Sequence, residues 1–202
     1  MINHFPNFVC WKEIFQVYDK QRDVIFLDSI SCYALGLMLC VKGKYFSGPQ
    51  MAHVLAQDSF EDCYFLLAED IQSIPENRKI ILPFKANFDG YKPVLNFLHS
   101  IPNKGLVIVG ISSPKQNFFA NYLYSVRPEL DYFCLGAAVK QTWDLNANTI
   151  LRGSGFQWLE FMIFQPRRTI GKMATTIIEA LTIIVSPLRL KLFRKFVQIT
   201  KS

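Results

Sequence analysis

Residues 105–117 read GLVIVGISSPKQN and carry the strongest indication of the fold. The four consecutive apolar residues 106–109 fit a strand buried on both faces, as the strands of parallel sheets are. The strand ends at Gly110, and Pro114 stands where the first turn of a helix is expected. A buried strand that leads through a short loop into a helix forms one βα unit, so this stretch predicts a parallel α/β sheet.

Short apolar runs alternate with helical patterns on both sides of this unit. Since 50% of the 202 residues are hydrophobic, the chain can bury a sizeable core, and a disordered chain is excluded. We predict a Rossmann-like, mostly parallel sheet flanked by helices in a core at residues 1–154, with an amphipathic helical appendage at residues 155–202. The predicted strands are Val24–Leu27, Tyr64–Leu67, Lys79–Pro83, Gly105–Gly110 and Tyr132–Gly136, and the predicted helices are Tyr91–Ser100 and Pro114–Val126.

The positive charge of the chain is concentrated near its C-terminal end. Residues 167–202 hold eight basic residues and one acid, a net charge of +7, whereas the whole chain carries +6. Ile177, Leu181 and Leu188 share one helix face with basic residues between them, which predicts an amphipathic basic helix bent near Pro187. Such a helix suits an anionic membrane surface. The alternative is a tail that completes a core or a homo-oligomer interface.

Several classes of protein are excluded or disfavoured by composition. The five cysteines are scattered and form no C-x-x-C pair, which favours a reducing cytosol over a disulfide framework. The three histidines lie far apart without ligand spacing, so we expect no metal site. The most apolar stretches span about a dozen residues, short of the ~20 of a membrane span. No nucleic-acid partner is expected, because the basic residues alternate with Ile and Leu rather than with stacking aromatics.

The loop that follows the first-quoted strand is the main candidate for a binding site. A strand that ends in Gly110, continues through Ser112 and enters a helix at Pro114 places free backbone N–H groups at the carboxyl edge of the sheet, with Lys115 beside them. Open α/β sheets bind ligands at that edge, and helix N-termini favour phosphates. The alternative is ordinary capping, because Ser-Ser-Pro also commonly precedes a helix.

Asp28 directly follows the predicted strand Val24–Leu27 and therefore faces the same edge of the sheet. A carboxylate there can act as a general base or bind a sugar hydroxyl. The alternative is an N-cap for a helix that begins near Ile30.

Two motifs resemble those of the WecG/TagA/CpsF family, bacterial glycosyltransferases of cell-surface polysaccharide synthesis. The family motif Gly-x-Gly-x-Pro-Lys-Gln-Glu after a strand is similar to residues 110–117, GISSPKQN. The motif Gly-Leu-Glu-Trp-Leu-Tyr-Arg-Leu with a following Pro-x-Arg is similar to residues 155–162, GFQWLEFM, and to Pro166–Arg168 at the same spacing. Asp28 stands where the family has a strand-terminal Asp-Gly, and the resemblance covers roughly residues 24–172.

The resemblance implies an inverting glycosyltransferase with no metal or other cofactor. The donor would be a UDP-sugar of the N-acetylmannosamine type, and the acceptor a sugar on a polyprenyl diphosphate. The enzyme would be cytoplasmic and would bind peripherally to the inner face of the cell membrane. The C-terminal appendage would make this membrane contact. Asp28 would be the general base and Gln116 would line the active site, while substrate contacts are expected at Gly110, Ser112, Pro114, Lys115, Gly136, Arg167 and Arg168.

Several positions depart from the family pattern. Asp-Gly has become Asp28-Ser29, the Glu after Lys-Gln has become Asn117, and an arginine falls on Phe161. The segment Gly-Gly-x-Phe-Asp ends here on Lys140, where the family has an Asp. An alternative function is therefore a catalytically degenerate member that binds lipid-linked glycan or a partner enzyme as a scaffold in a membrane-bound glycan-assembly complex.

Overall fold

The computed structural model describes residues 2–5, 24–27, 48–58, 60–82, 92–112, 115–136, 138–143, 163 and 166–192. The chain divides into two compact units. The first comprises residues 1–3 and 48–147, and the second comprises residues 4–47 and 148–202. The predicted boundary between core and appendage, at residue 154, lies outside the described residues and stays a prediction.

A parallel sheet forms the centre of the first unit. Its four strands that lie wholly within this unit have the order β6-β5-β3-β4, and each neighbouring pair is parallel. Ile2 and Asn3 of β1 extend the sheet beyond β6, in register with Phe133 and Cys134. The strands described along the whole chain are β1 (Ile2–Phe5), β2 (Val24–Leu27), β3 (Cys63–Leu67), β4 (Lys79–Ile81), β5 (Leu106–Gly110) and β6 (Asp131–Cys134).

Helices cover both faces of this sheet. Val107 and Val109 of β5 pack in one core cluster with residues of α2 and α3. Ile108, the residue between them, packs in a second cluster with residues of α1 and α4, as the two-residue period of a strand requires. The helices are α1 (Gly48–Asp58), α2 (Lys92–Ser100), α3 (Lys115–Val126), α4 (Ala138–Trp143) and α5 (Pro166–Val185), with 3₁₀ turns at Phe60–Asp62 and Glu76–Arg78.

The connection from β3 to β4 contains no α-helix, in agreement with its shortness in the sequence. Ile71 and Ile74 bury their side chains under it. Lys79, at the start of β4, is also buried, and its Nζ lies 2.6 Å from Asp70 Oδ1 and 2.8 Å from Glu76 Oε1. It also donates a hydrogen bond to the Ile71 carbonyl oxygen at 3.2 Å. Apolar burial and this lysine together replace the packing that a crossover helix would supply.

The second unit is described at residues 4 and 5 of β1, at β2, at residue 163, at α5 and at the helical residues 187–192. Helix α5 begins at Pro166, which suits a first-turn position, and ends before Ser186. The break falls next to Pro187, where the sequence predicts a bend. Within the described residues, no helix combines the length and apolarity that crossing a bilayer requires.

The fold predicted from the sequence is confirmed for the described residues. The predicted strand at Tyr132–Gly136 is shorter in the structure, because the chain turns at Gly136 and its N–H bonds to the Val109 carbonyl oxygen at 3.1 Å. Strand β4 likewise ends at Ile81. Strand β1 and helices α1 and α4 were not predicted, and the motif at residues 155–162 lies outside the described residues.

Candidate functional site

The strand order defines one place in the sheet where a ligand site is expected. The chain passes outward from β3 to β4 at one side of the sheet and from β5 to β6 at the other. Between β3 and β5 the direction of the connections therefore reverses, and open α/β sheets bind ligands outside the carboxyl ends of the strands at such a point. Glu69 follows β3 closely there, and Ile111 and Ser112 follow β5.

Gln116 brings a buried polar group to this edge. It lies in the first turn of α3 with 2% of its surface exposed, and its backbone N–H donates to the Ser112 carbonyl oxygen at 3.2 Å. In the part of the chain that the structure describes, its Oε1 has no hydrogen-bond partner. Buried side-chain oxygens without a partner are rare because desolvation is costly, and they often mark functional positions. Asn117, the next residue, is fully buried.

Gly136 lies directly against the Gln116 side chain. Its φ is +55°, in the left-handed region that favours glycine. A Cβ at this position would lie 3.2 Å from Gln116 Oε1 and 3.3 Å from the Ile111 carbonyl oxygen. The loop after β6 therefore approaches the start of α3 closely, and a side chain at Gly136 would crowd the unpartnered oxygen.

Gly110 provides a second close approach at the end of β5. A Cβ there would lie 2.9 Å from Leu67 Cδ2 and 3.2 Å from Val139 Cγ2. The lack of a side chain lets α4 lie over the ends of β3 and β5. The sequence-predicted residues Gly110 and Gly136 are thus both needed for the backbone geometry of this edge.

Charged side chains lie at the rim of the same edge. Lys140 Nζ donates to Glu69 Oε2 at 2.9 Å, across 71 residues of sequence. The Lys140 ammonium group is therefore paired with a carboxylate from the end of β3. Ser112 and Lys115 are exposed. The structure thus brings Gly110, Ser112, Lys115, Gln116 and Gly136 to one sheet edge.

Other predicted site residues are not placed with this group. Asp28 and Pro114 lie outside the described residues, as does the side chain of Arg168. Arg167 is exposed in the first turn of α5, in the second unit. A shallow, mostly apolar depression in that unit contains none of the predicted site residues and is lined by Leu181, Thr182, Val185, Ser186 and Arg189.

Glu69 is not among the site residues predicted from the sequence. Its position two residues beyond a predicted strand end was a usable signal, but the strand order that makes this end part of the site is not visible in the sequence. Over the described ranges, no three His, Cys, Asp or Glu side chains are grouped closely enough to hold a metal ion. Cys63 is fully buried in the core, and this burial raises the pKa of its thiol to about 11.

The fold places the chain in the class of Rossmann-like, parallel α/β proteins whose candidate site lies at the carboxyl ends of β3, β5 and β6. Comparison of the chain with protein-family models, with curated proteins and with solved structures finds no match.

Proposed function

We propose that this protein is an inverting glycosyltransferase of bacterial cell-surface polysaccharide synthesis. It transfers a sugar of the N-acetylmannosamine type from a UDP donor to an acceptor on a polyprenyl diphosphate. The observation that carries the proposal is the buried, unpartnered Oε1 of Gln116 within the described residues, at the carboxyl ends of β5 and β6. The motif resemblance supplies the reaction type.

The chemistry of Gln116 supports a sugar ligand. An amide oxygen accepts hydrogen bonds, so its partner must be a donor such as a sugar hydroxyl or an acetamido N–H. A hydrogen bond to a buried acceptor contributes more binding free energy than a hydrogen bond to an acceptor exposed to water, because the buried acceptor has already lost its hydration. A side chain at Gly136 would crowd this oxygen, because its Cβ would lie 3.2 Å from Gln116 Oε1.

The proposed reaction is one displacement at the anomeric carbon. Asp28 takes the proton from the acceptor hydroxyl as its oxygen bonds to the anomeric carbon, and the bond from that carbon to the UDP oxygen breaks. A carboxylate with an ordinary pKa of about 4 is a weak base near neutral pH, so orientation and stabilisation of the leaving diphosphate supply most of the rate. The resemblance assigns the latter role to Arg167 and Arg168, since a diphosphate that leaves without a metal needs fixed positive charge.

Helix α5 supports a position on the inner face of the cell membrane. Four of its large apolar residues share a face and are exposed by about half, and Leu188 beyond the break is exposed as well, whereas Ile183 on the opposite side of α5 is fully buried. Basic residues flank that face, with Arg167 in the first turn and Lys191 exposed beyond the break. An apolar stripe with cations along it suits an anionic lipid surface. The exposed stripe consists of Ile170, Ile177, Leu181, Ile184 and Leu188.

Calorimetry with UDP-sugars and a transfer assay with a polyprenyl-diphosphate-linked acceptor test the proposal. We expect one UDP-sugar to bind and to be turned over, and Asp28→Asn to abolish turnover while keeping nucleotide binding. Asp58→Asn, which changes an exposed carboxylate at the end of α1, is the matched control and leaves turnover unchanged. Wild-type turnover in Asp28→Asn would leave Asp28 only a capping role, and a chain that binds no UDP-sugar would contradict the proposal.

A second candidate function is binding without catalysis. It is favoured by two positions that carry acids in the family. Asn117 and Lys140 stand at these positions, and neither side chain carries a carboxylate. Asn117 is fully buried, and Lys140 pairs with Glu69. In that case the folded chain binds lipid-linked glycan or a partner enzyme, and no donor of the UDP-sugar panel is hydrolysed or transferred.

A further inference from the structure

The ion pair between Lys140 and Glu69 lies at the point where the strand order reverses. Val139, the neighbour of Lys140, lies against the position of Gly110 at the end of β5, with 3.2 Å between Val139 Cγ2 and a Cβ built on Gly110. Glu69 stands two residues beyond the end of β3. The pair therefore spans the carboxyl ends of the two strands between which a ligand is expected.

The segment that carries Glu69 is held in place by other contacts. Lys79 binds Asp70, Glu76 and the Ile71 carbonyl oxygen from below. Ser73 Oγ donates to the Trp143 carbonyl oxygen, which ties the same segment to the end of α4. The fold thus does not depend on the Lys140–Glu69 pair to position either residue.

Exposure makes this pair exchangeable. The side chains of Lys140 and Glu69 are 47% and 60% exposed, and exposed ion pairs contribute little to stability. A diphosphate carries more negative charge than one carboxylate and offers more acceptor oxygens to an ammonium group. It can therefore replace Glu69 at Lys140 without disturbing the sheet.

We propose that Lys140 binds the diphosphate of the ligand and that the Glu69 carboxylate pairs with Lys140 when no ligand is bound. This inference rests on the proposed function for the identity of the ligand, a nucleoside diphosphate or an isoprenoid diphosphate. Glu69 acts as an internal competitor, because a ligand must displace its carboxylate to reach the lysine. It thereby selects ligands with more charge than a single carboxylate or monoester provides.

Titration calorimetry with UDP, farnesyl diphosphate and inorganic pyrophosphate tests the inference. We expect Lys140→Gln to weaken diphosphate binding about tenfold, and Lys140→Arg to restore most of it. Glu69→Gln frees the lysine and should tighten binding about threefold, a gain that misfolding cannot produce. In the Lys140→Gln background, Glu69→Gln should have no effect, since there is no lysine left to release.

Two matched controls change the same charges at the opposite, amino edge of the sheet. These controls are Glu61→Gln and Lys104→Gln. Glu61 precedes β3, Lys104 precedes β5, and both residues are exposed. We expect neither to change affinity by more than about twofold, because charges at that distance are screened by salt. Equal effects of Glu61→Gln and Glu69→Gln would reduce the result to net charge and overturn the inference.

The three ligands separate this inference from the proposed function. If UDP binds and Lys140→Gln leaves its affinity unchanged, while farnesyl diphosphate is also unaffected, the role of Lys140 is wrong and the proposed function stands. If pyrophosphate binds in a Lys140-dependent way and UDP binds no better, the inference stands and the UDP donor is wrong. The ligand whose affinity falls most in Lys140→Gln identifies the source of the diphosphate, and failure of all three to bind the wild-type chain overturns both.

Discussion

Gly136 and Gln116 show how single residues set the chemistry of the sheet edge. The left-handed φ of Gly136 turns the chain directly after β6, and the missing side chain leaves Gln116 Oε1 uncrowded. Gln116 is pulled into the core by the first turn of α3, where its neighbours Phe119 and Ala120 are also buried. Backbone geometry and burial together leave Gln116 Oε1 as a buried acceptor with no hydrogen-bond donor in the described part of the chain.

Substitution of Gly136 tests this geometry. Gly136→Ala should lower the free energy of unfolding by about 1–3 kcal/mol, because an L-residue is strained at positive φ and the new Cβ contacts Gln116 and Ile111. Urea denaturation measures the change. Gly171→Ala is the control, since Gly171 is exposed on α5 with no described heavy atom within 4 Å of an added Cβ. There alanine should stabilise the helix by up to about 1 kcal/mol, and equal losses at both positions would contradict the argument.

Substitution of Gln116 separates folding from binding. Gln116→Met keeps the side-chain length and removes the buried oxygen that has no partner in the described part of the chain. The free energy of unfolding should stay the same or rise by about 1 kcal/mol, while the affinity for the UDP-sugar falls about tenfold. Denaturation and calorimetry measure the two effects, with Gln57→Met on the exposed side of α1 as control. A clear loss of stability would show that the amide group, whose nitrogen is removed together with Oε1, has a partner within the folded chain.

At the scale of elements, two buried or half-buried basic side chains hold the ends of helices and strands in place through hydrogen bonds. Arg127 follows α3 and donates from Nη1 to the Leu98 carbonyl oxygen at 2.6 Å and from Nη2 to the Ile101 carbonyl oxygen at 3.3 Å. It thereby satisfies carbonyl groups at the C-terminal end of α2. Lys79 organises the connection from β3 to β4 in the same way, and that connection presents Glu69 to the candidate site.

The contacts of Lys79 with Asp70, Glu76 and the Ile71 carbonyl oxygen predict a specific pH dependence of stability. Hydrogen bonds to Asp70 and Glu76 raise the pKa of Lys79 above its ordinary value of 10.5. Because the folded-state pKa is higher, the contribution to stability is fully present below the unfolded pKa and is lost as pH rises through the folded one. Lys79→Met should therefore cost about 1–2 kcal/mol near neutral pH. The difference from wild type should narrow above pH 10.5.

Urea denaturation over a series of pH values measures this difference. Lys92→Met provides the control, because Lys92 is exposed at the start of α2. We expect that variant to follow the wild-type curve at every pH. A Lys79→Met deficit that stays constant up to the highest accessible pH would mean that packing of the lysine stem, not its charge, stabilises the segment.

At the scale of the whole molecule, the distribution of charge has a direction. Residues 167–202 carry +7, which leaves −1 for the first 166 residues of the chain. The same tail contains the exposed apolar face of α5. Charge and apolar exposure coincide in one part of the sequence, and this coincidence underlies the proposed contact with lipid.

Sedimentation of the full chain with anionic vesicles tests the contact. A variant with Ile177, Leu181 and Leu188 each changed to serine should bind at least about tenfold more weakly, because three half-exposed apolar side chains no longer enter the interface. High salt should weaken wild-type binding as well. Val54→Ser, which removes an apolar side chain exposed by 42% on α1, is the control. Unchanged sedimentation of the triple variant, or its conversion from a dimer to a monomer, would favour a homo-oligomer interface instead.

Local patterns in the sequence determined most of the segments that form the sheet and where its polar edge lies. A run such as residues 106–109 has no polar face, which favours a strand buried on both sides, and Gly110 with Pro114 marks where the chain leaves it. Since parallel strands end at one edge, the sequence also placed Gly110, Ser112, Lys115, Gln116 and Gly136 on the same side of the sheet. These conclusions rest on neighbours within a few residues.

The tertiary structure alone decided the order of the strands and the partners across them. Strand β5 lies beside β3 and not beside β4, which creates the reversal point, and no local pattern encodes that choice. The pairing of Glu69 with Lys140 and the buried, unpartnered state of Gln116 Oε1 in the described residues follow from it. Both depend on how helices α3 and α4 pack against strand ends far away in sequence, because burial and ion pairing are set by the surrounding residues in three dimensions.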